Sequence, residues 1–251
     1  MTRDTRNQPK FMVIDRELGI EIIDGIWAVG EARALEEIQD RYGVSRTVAR
    51  EAARQLEAMG LAKARRRLGL VALSQDHWQM LHPVLINWRL HSSQRLAQMR
   101  AVVQLRQAVE PMAASSAARI APIRDRALLL SLATEMRQYS EVNDEEAFIK
   151  CDHEFHQVML AASGNELFAA LGEMIDIVIR ARVDFEAPKT ARHHTITTHE
   201  QVANAILQGD ADEAARAMSS MLSDARHDFR GEEISLPEAE PASHPGSQIV
   251  S

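Results

Sequence analysis

The run GVSRTVAREAARQLEAMG, from Gly43 to Gly60, leaves the chain little freedom in how it folds locally. At about 100° per residue, Arg46, Arg50 and Arg54 fall on one side of a helix. Val48, Ala52, Leu56 and Met59 gather on roughly the opposite side, so the helix is amphipathic. Ser45 reads as its N-cap and Gly60 as its stop. Immediately upstream, ALEEIQDRY places Leu35, Ile38 and Tyr42 on a shared face, and Gly43 closes that pattern. The segment GVS is therefore a tight turn joining two helices.

An earlier helical spacing, Val13, Ile14, Leu18, Ile22, Ile23 and Ile26, makes the arginine-bearing helix the third of three. After Gly60, LAKARRRLGLVAL reads as a strand, a turn holding Arg65, Arg66 and Arg67, and a second strand. Three helices followed by a basic-tipped hairpin are the plan of a winged helix-turn-helix, whose third helix enters the major groove of DNA. Ser45, Arg46 and Thr47 then stand at a helix start, where free N–H groups and hydroxyls suit phosphate. Arg46 and Arg50 reach base edges. Arg54, farther along, lies nearer phosphate or solvent.

Charge supports this assignment once it is localised. The formal net charge is -7, yet residues 1–75 carry 13 Lys+Arg against 11 Asp+Glu. Between Arg41 and Arg67 there are 8 basic and 2 acidic residues, and the field at the contact surface matters more than the total.

Helix follows helix beyond this unit. Hydrophobic residues make up 45% of the chain and aromatics 4%, with Ala, Leu, Glu and Arg abundant, so the remaining core is helical. Between Ser74 and Ser93, Trp78, Leu81, Leu85 and Trp88 recur at helical intervals, with Pro83 either kinking that segment or opening it. The two tryptophans are expected to dock one domain on the other. Six helices follow, broken at Ala121-Pro122, Asn143-Asp144, Gly164-Asn165, a loop APKTARHHTIT and Gly209-Asp210. The fold class expected is mainly α, an N-terminal winged helix-turn-helix plus a C-terminal all-α six-helix bundle. Its limits are 1–75 for the DNA-binding domain, 76–93 for the connector and 94–231 for the bundle, with a disordered Pro/Ser/Glu-rich tail at 232–251. No apolar run approaches the roughly 18 residues of a membrane span. The start MTRDTRNQPK has no signal core, and the single Cys151 fits a reducing cytoplasm.

Within the bundle, DHEFHQV sets Asp152 and His156 four residues apart on one helical face. His199 shares a side with Val202, Ala203 and Ile206 on another helix. One carboxylate and two imidazoles converging there are adequate ligands for Zn²⁺ or another divalent metal.

GVSRTVAREAARQLEAMGL with the basic hairpin resembles the DNA-binding domain of GntR-type bacterial transcription regulators. The bundle, with DHEFH, SGN and HEQVANAILQGD, resembles the effector-binding half of the FadR-type branch of that family, and the two likenesses together span about residues 13–230. The resemblance implies DNA contacts at Ser45, Arg46, Thr47 and Arg50, with Arg65, Arg66 and Arg67 adding to them. Glu36 stands where the family commonly has a DNA-contacting arginine, so no contact is carried over to it. The resemblance also implies a metal held by Asp152, His156, His199 and a further histidine, beside a pocket for a small carboxylic acid.

Met221 stands at that fourth position. A thioether is a poor partner for Zn²⁺. Either three protein ligands hold the metal, or Asp152, His156 and His199 contact the effector directly. His193, His194 and His227 could in principle substitute, although the first two lie in the expected loop and His227, about 240° round its helix from Met221, faces elsewhere. Arg106, four residues before Glu110, matches a family position for an effector-binding arginine; the alternative is an ordinary surface ion pair. The connector and Met221 resemble the sugar-acid, galactonate-type subgroup.

The chain is thus expected to be a cytoplasmic, dimeric, ligand-responsive regulator, a repressor released from operator DNA by its effector, and not an enzyme. Two rivals are a metal-dependent hydrolase using Asp152, His156 and His199, and a non-specific DNA-organising protein without effector.

Overall fold

The computed structural model describes residues 10–184 and 189–227; the expected tail lies outside them. Helix α1 (Lys10–Ile23) leads to a two-residue strand β1 (Ala32–Arg33), then α2 (Leu35–Tyr42) and α3 (Arg46–Ala58). The antiparallel pair β2 (Ala62–Arg65) and β3 (Gly69–Ala72) follows. β1 pairs with β3, giving a three-stranded sheet in the order β1-β3-β2. β1 went unforeseen because two residues carry no periodicity.

Both turns that orient α3 depend on glycine. Gly43 ends α2 at φ 60, a left-handed conformation that few residues adopt cheaply, and the chain re-enters helix three residues later. Gly60 has φ +71, and a Cβ there would lie 2.0 Å from the His77 carbonyl oxygen. Ser45 caps α3 by accepting from the Val48 amide at 3.4 Å. α3 presents Ala49, Ala52, Ala53 and Leu56 inward. Its alanines let α3 lie close to α1, whose Ile14, Leu18 and Ile22 complete the core with Trp27, Ile38 and Leu70. Each such large aliphatic side chain contributes about 1.5–3 kcal/mol on burial.

The connector is not one continuous helix. A single 3₁₀ turn at Gln75–His77 precedes α4 (Pro83–Leu90). Pro83 opens this helix, where its missing N–H costs nothing, and the His82 ring accepts from the Val84 amide. Leu81 is exposed, so the expected four-residue apolar face does not form. Leu85 and Trp88 pack in the N-terminal core, whereas Ile86 and Leu90 enter the second core. One short helix therefore belongs to both. Trp88 packs against α1 at Gly19, where an added Cβ would meet its Cζ3 at 2.2 Å. Ser93 fastens the far end by donating its amide and hydroxyl to Asp24 Oδ1 at 2.9 and 2.7 Å.

The second core lies among α5 (Arg95–Ile120), α6 (Ile123–Glu141), α7 (Glu145–Ala162), α8 (Glu166–Ala170), α9 (Gly172–Asp184), α10 (Lys189–Gln208) and α11 (Ala211–His227). Two features correct the sequence reading. The helix expected from Glu166 onward divides at Leu171, with α9 restarting at Gly172, a weak helix former. The expected loop before His199 is helical from Lys189. Its threonines and histidines have modest helix propensity, and burial of Ile196 in the core overrides it. His193 and His194 are thus on α10 and His227 ends α11; their side chains lie outside the described residues.

Candidate functional site

Two sets of residues stand out, one exposed and one buried. Ser45, Arg46, Thr47 and Arg50 are exposed along the start and outer face of α3. Ser45 accepts the capping bond, which leaves its hydroxyl hydrogen free to donate. Arg46 and Arg50 have no carboxylate partner among the described residues, so their guanidinium groups are available to another molecule. Arg65 closes the β2–β3 ladder opposite Gly69, and Arg66 and Arg67 form the tip, all three exposed. Arg67 takes φ 66, so the tip is a tight reversal.

Not every cation of the basic stretch is available. Arg41 is tied to Glu21 on α1, and Arg54 to Glu51 at 3.2 Å. Glu57 Oε1 accepts from the Ala64 amide at 2.7 Å, bracing the hairpin against α3. Glu36 is exposed in the first turn of α2.

The buried set lies in the bundle. Arg106 and Glu110 are one turn apart on α5, Asp152 and His156 one turn apart on α7, and His199 comes from α10. All five are buried. The Arg106–Glu110 pair is therefore internal and not a surface ion pair. Arg106 Nε donates to Glu110 Oε1 at 2.6 Å and Nη2 to Oε2 at 3.3 Å. Nη2 also lies 3.1 Å from His156 Nε2, and a guanidinium can only donate, so this ring nitrogen accepts. His156 Nδ1 is 3.1 Å from Glu110 Oε2 without the alignment of a hydrogen bond.

His199 is oriented by its own helix. Its Nδ1 lies 2.6 Å from the Thr195 carbonyl oxygen, an acceptor only, and so carries the hydrogen. In the neutral ring Nε2 then turns a lone pair toward Asp152 Oδ1, 3.0 Å away. His156 Nε2 is 3.4 Å from the same oxygen. Two ring nitrogens and one carboxylate oxygen thus lie close together, where a proton or a metal ion held between nitrogen and oxygen offsets the repulsion of their lone pairs. The three ligand atoms lie within 4.8 Å of one another, and on this geometry the residues fit a divalent metal. The Thr195 carbonyl fixes the ring as outer-shell partners of metal-bound histidines do.

The ionisation of the cluster follows from its burial and its neighbours. Burial pushes the Asp152 carboxyl upward, but the hydrogen-bonding His156 and His199 rings overcome this and hold it well below the usual range. Burial likewise opposes ionised Glu110, and the adjacent Arg106 and His156 bring it down to about 2. For His156 burial disfavours the imidazolium, while Glu110 and Asp152 together raise its pKa against Arg106. Phe155 was missed by sequence reasoning. Its ring packs edge-on against those of His156 and His199, with centroids 5.8 and 4.8 Å away, and limits both. Its place inside DHEFH was the available signal. Met221, at the fourth position, is buried in the same core.

Comparison with known proteins follows this division. Residues 13–71 match the model of the bacterial regulatory proteins of the gntR family, and 101–224 match the FCD domain. The chain belongs to the GntR family. Its FCD domain places it in the FadR-type branch, and it is a DNA-binding transcription regulator. It is 26% identical over 211 residues to the HTH-type transcriptional regulator YieP of Escherichia coli K12, covering 84% of this chain and 91% of that one. It is 27% identical over 208 residues to the galactonate operon transcriptional repressor of the same strain, covering 82% and 90%. The solved structure of Lar, which controls expression of the Listeria monocytogenes agr system, has the same fold. It superposes with a TM-score of 0.59 at 18% identity, covering 88% of this GntR-family chain and 97% of that one.

Proposed function

We propose that this protein is an effector-responsive repressor of a sugar-acid catabolic operon, working as a cytoplasmic homodimer that leaves its operator when the effector binds. Residues 1–75 would be its DNA-binding domain, 76–93 its connector and 94–231 its effector-binding and dimerisation domain. Ser45, Arg46, Thr47 and Arg50 contact operator DNA, with Arg65, Arg66 and Arg67 approaching its backbone or minor groove. Arg106, Asp152, His156 and His199 receive the effector. Asp152, His156 and His199 also hold a divalent metal, with zinc the leading choice, which when bound supplies positive charge for effector oxygens.

The observation that carries this reading is the buried cluster of Arg106, Glu110, Asp152, His156 and His199. Five ionisable groups buried together inside the bundle are expensive to keep, and a purely structural core would replace them with packed hydrophobic residues. Arg106 offers a permanent cation to a carboxylate. Similarity to the galactonate operon repressor supports an aldonic or uronic acid as the effector. In α4, Leu85 and Trp88 bear on the DNA-binding core and Ile86 and Leu90 on the bundle core. A shift in the bundle is thereby passed to the DNA-binding heads, whose spacing must match two operator half-sites.

The test is a thermal melt of the zinc-replete protein against a panel of aldonic, uronic and other small carboxylic acids. A ligand at 100 times its Kd adds about 2.7 kcal/mol. At about 2–4 °C per kcal/mol for a chain of this size, the midpoint rises by several degrees. A selective rise with one sugar acid, and loss of DNA binding in its presence, establishes the function. No rise with any member of the panel overturns it.

A further inference from the structure

We propose that Arg106 and the metal compete for one lone pair, that of His156 Nε2, so that metal binding frees the guanidinium for exactly one carboxylate group. This rests on the metal-and-effector reading of the cluster above and adds to it the order and charge of what binds.

The competition follows from the donor inventory. A neutral imidazole has a single unprotonated nitrogen, with one lone pair in the ring plane. In this structure Arg106 Nη2 occupies it, at 3.1 Å. A metal held by Asp152 and His199 needs that same lone pair to gain its third protein ligand. Nη2 must therefore leave His156. The guanidinium stays in the bundle, because Glu110 retains Nε at 2.6 Å. The freed N–H is then a buried donor with no acceptor, which is costly until an anion supplies one.

Charge fixes the number of anions. With both imidazoles neutral, as ligation of a metal requires, Arg106, Glu110 and Asp152 together carry one negative charge. A divalent ion makes the cluster positive by one, and a single carboxylate returns it to neutrality. Without the metal the same carboxylate would join two buried carboxylates, Glu110 and Asp152, that share one permanent cation, Arg106. Metal and monocarboxylate thus strengthen each other's binding by the same factor. A dicarboxylate of equal size gains less, since its second charge has no counterpart.

The test uses the full chain labelled with ¹⁵N-arginine, titrated with Zn²⁺ and then with gluconate or glucarate. The Arg106 guanidinium signals are assigned from the spectrum of Arg106→Lys. Zn²⁺ alone should shift these signals, and gluconate should shift them again. Calorimetry should show gluconate tightening Zn²⁺ binding about tenfold and glucarate by less. The double variant Arg106→Met/Glu110→Gln keeps the net charge but lacks the competitor. It should bind Zn²⁺ about tenfold more tightly than the natural chain and lose the gluconate effect. Zn²⁺ binding that leaves the Arg106 signals unmoved overturns the inference while the metal site stands, and so does equal tightening by gluconate and glucarate. Failure of Zn²⁺ to bind either protein overturns the metal reading and this inference with it. The natural-chain spectra decide the matter even where the double variant does not fold.

Discussion

Replacing Arg106 with methionine keeps much of the side chain's bulk and removes its charge. The guanidinium is 3% exposed and its partner Glu110 is 0% exposed. Two bonds to Glu110 and one to His156 vanish together, leaving the Glu110 and Asp152 carboxylates buried without their permanent cation. Breaking a buried pair from one side costs about 3–5 kcal/mol. At about 2–4 °C per kcal/mol, the melting midpoint at pH 7 should fall by about 6–20 °C. The pH dependence gives a second, signed check. In the natural chain Glu110 is held at about 2, below its ordinary 4.5, which corresponds to about 3 kcal/mol. That stability is present above pH 4.5 and is lost as the pH falls toward 2. In Arg106→Met the chief force lowering Glu110 is gone and burial raises it, so protonation stabilises the folded variant. The gap between the two proteins should therefore narrow steadily on acidification from pH 7 to 4. Adding Glu110→Gln removes the stranded charge and should recover stability to within about 1 kcal/mol of the natural chain, since a buried ion pair contributes little beyond a neutral replacement. Differential scanning calorimetry across this pH range measures all three quantities. A variant that melts within about 2 °C of the natural chain at pH 7, or a gap that widens in acid, refutes the reasoning.

Other substitutions probe the remaining parts. Arg50→Ala, at an exposed position, should abolish specific operator binding in a gel-shift assay while leaving the melting midpoint unchanged; undiminished affinity would remove α3 from the interface. Raising salt from 50 to 200 mM should weaken operator binding by about a thousandfold or more if six or more phosphates are contacted, as fluorescence anisotropy would show. Gly19→Ala should lower the melting midpoint although alanine favours helix, because the new Cβ meets the Trp88 ring; overpacking of this kind costs about 1–3 kcal/mol. Cys151, whose thiol is pushed up to about 11 by burial and then by Glu135 and Glu154, should resist iodoacetamide at pH 8 and react once the chain is unfolded.

What the sequence by itself determined lies within a few turns of helix. Arginines one turn apart opposite Ala52 and Leu56, a serine cap and a glycine on each side were enough to place α3 and its exposed face, because caps, turns and periodicity act over three to four residues. The same range placed Asp152 beside His156. Tertiary structure decided the rest. Spacing could not tell whether Arg106 and Glu110 form a surface pair or an internal one, because both need the same i,i+4 step; packing against α7 and α10 made it internal. Propensity put a loop before His199, and burial of Ile196 made it helix. The apolar pattern of the connector suggested one docking face, yet α4 divides its side chains between two cores, a fact set by partners on both sides. The meeting of His199 with Asp152, and of Arg106 with His156, joins residues 47 and 50 positions apart. No local rule reaches that far: such contacts exist only once the bundle has excluded water and brought the three helices together.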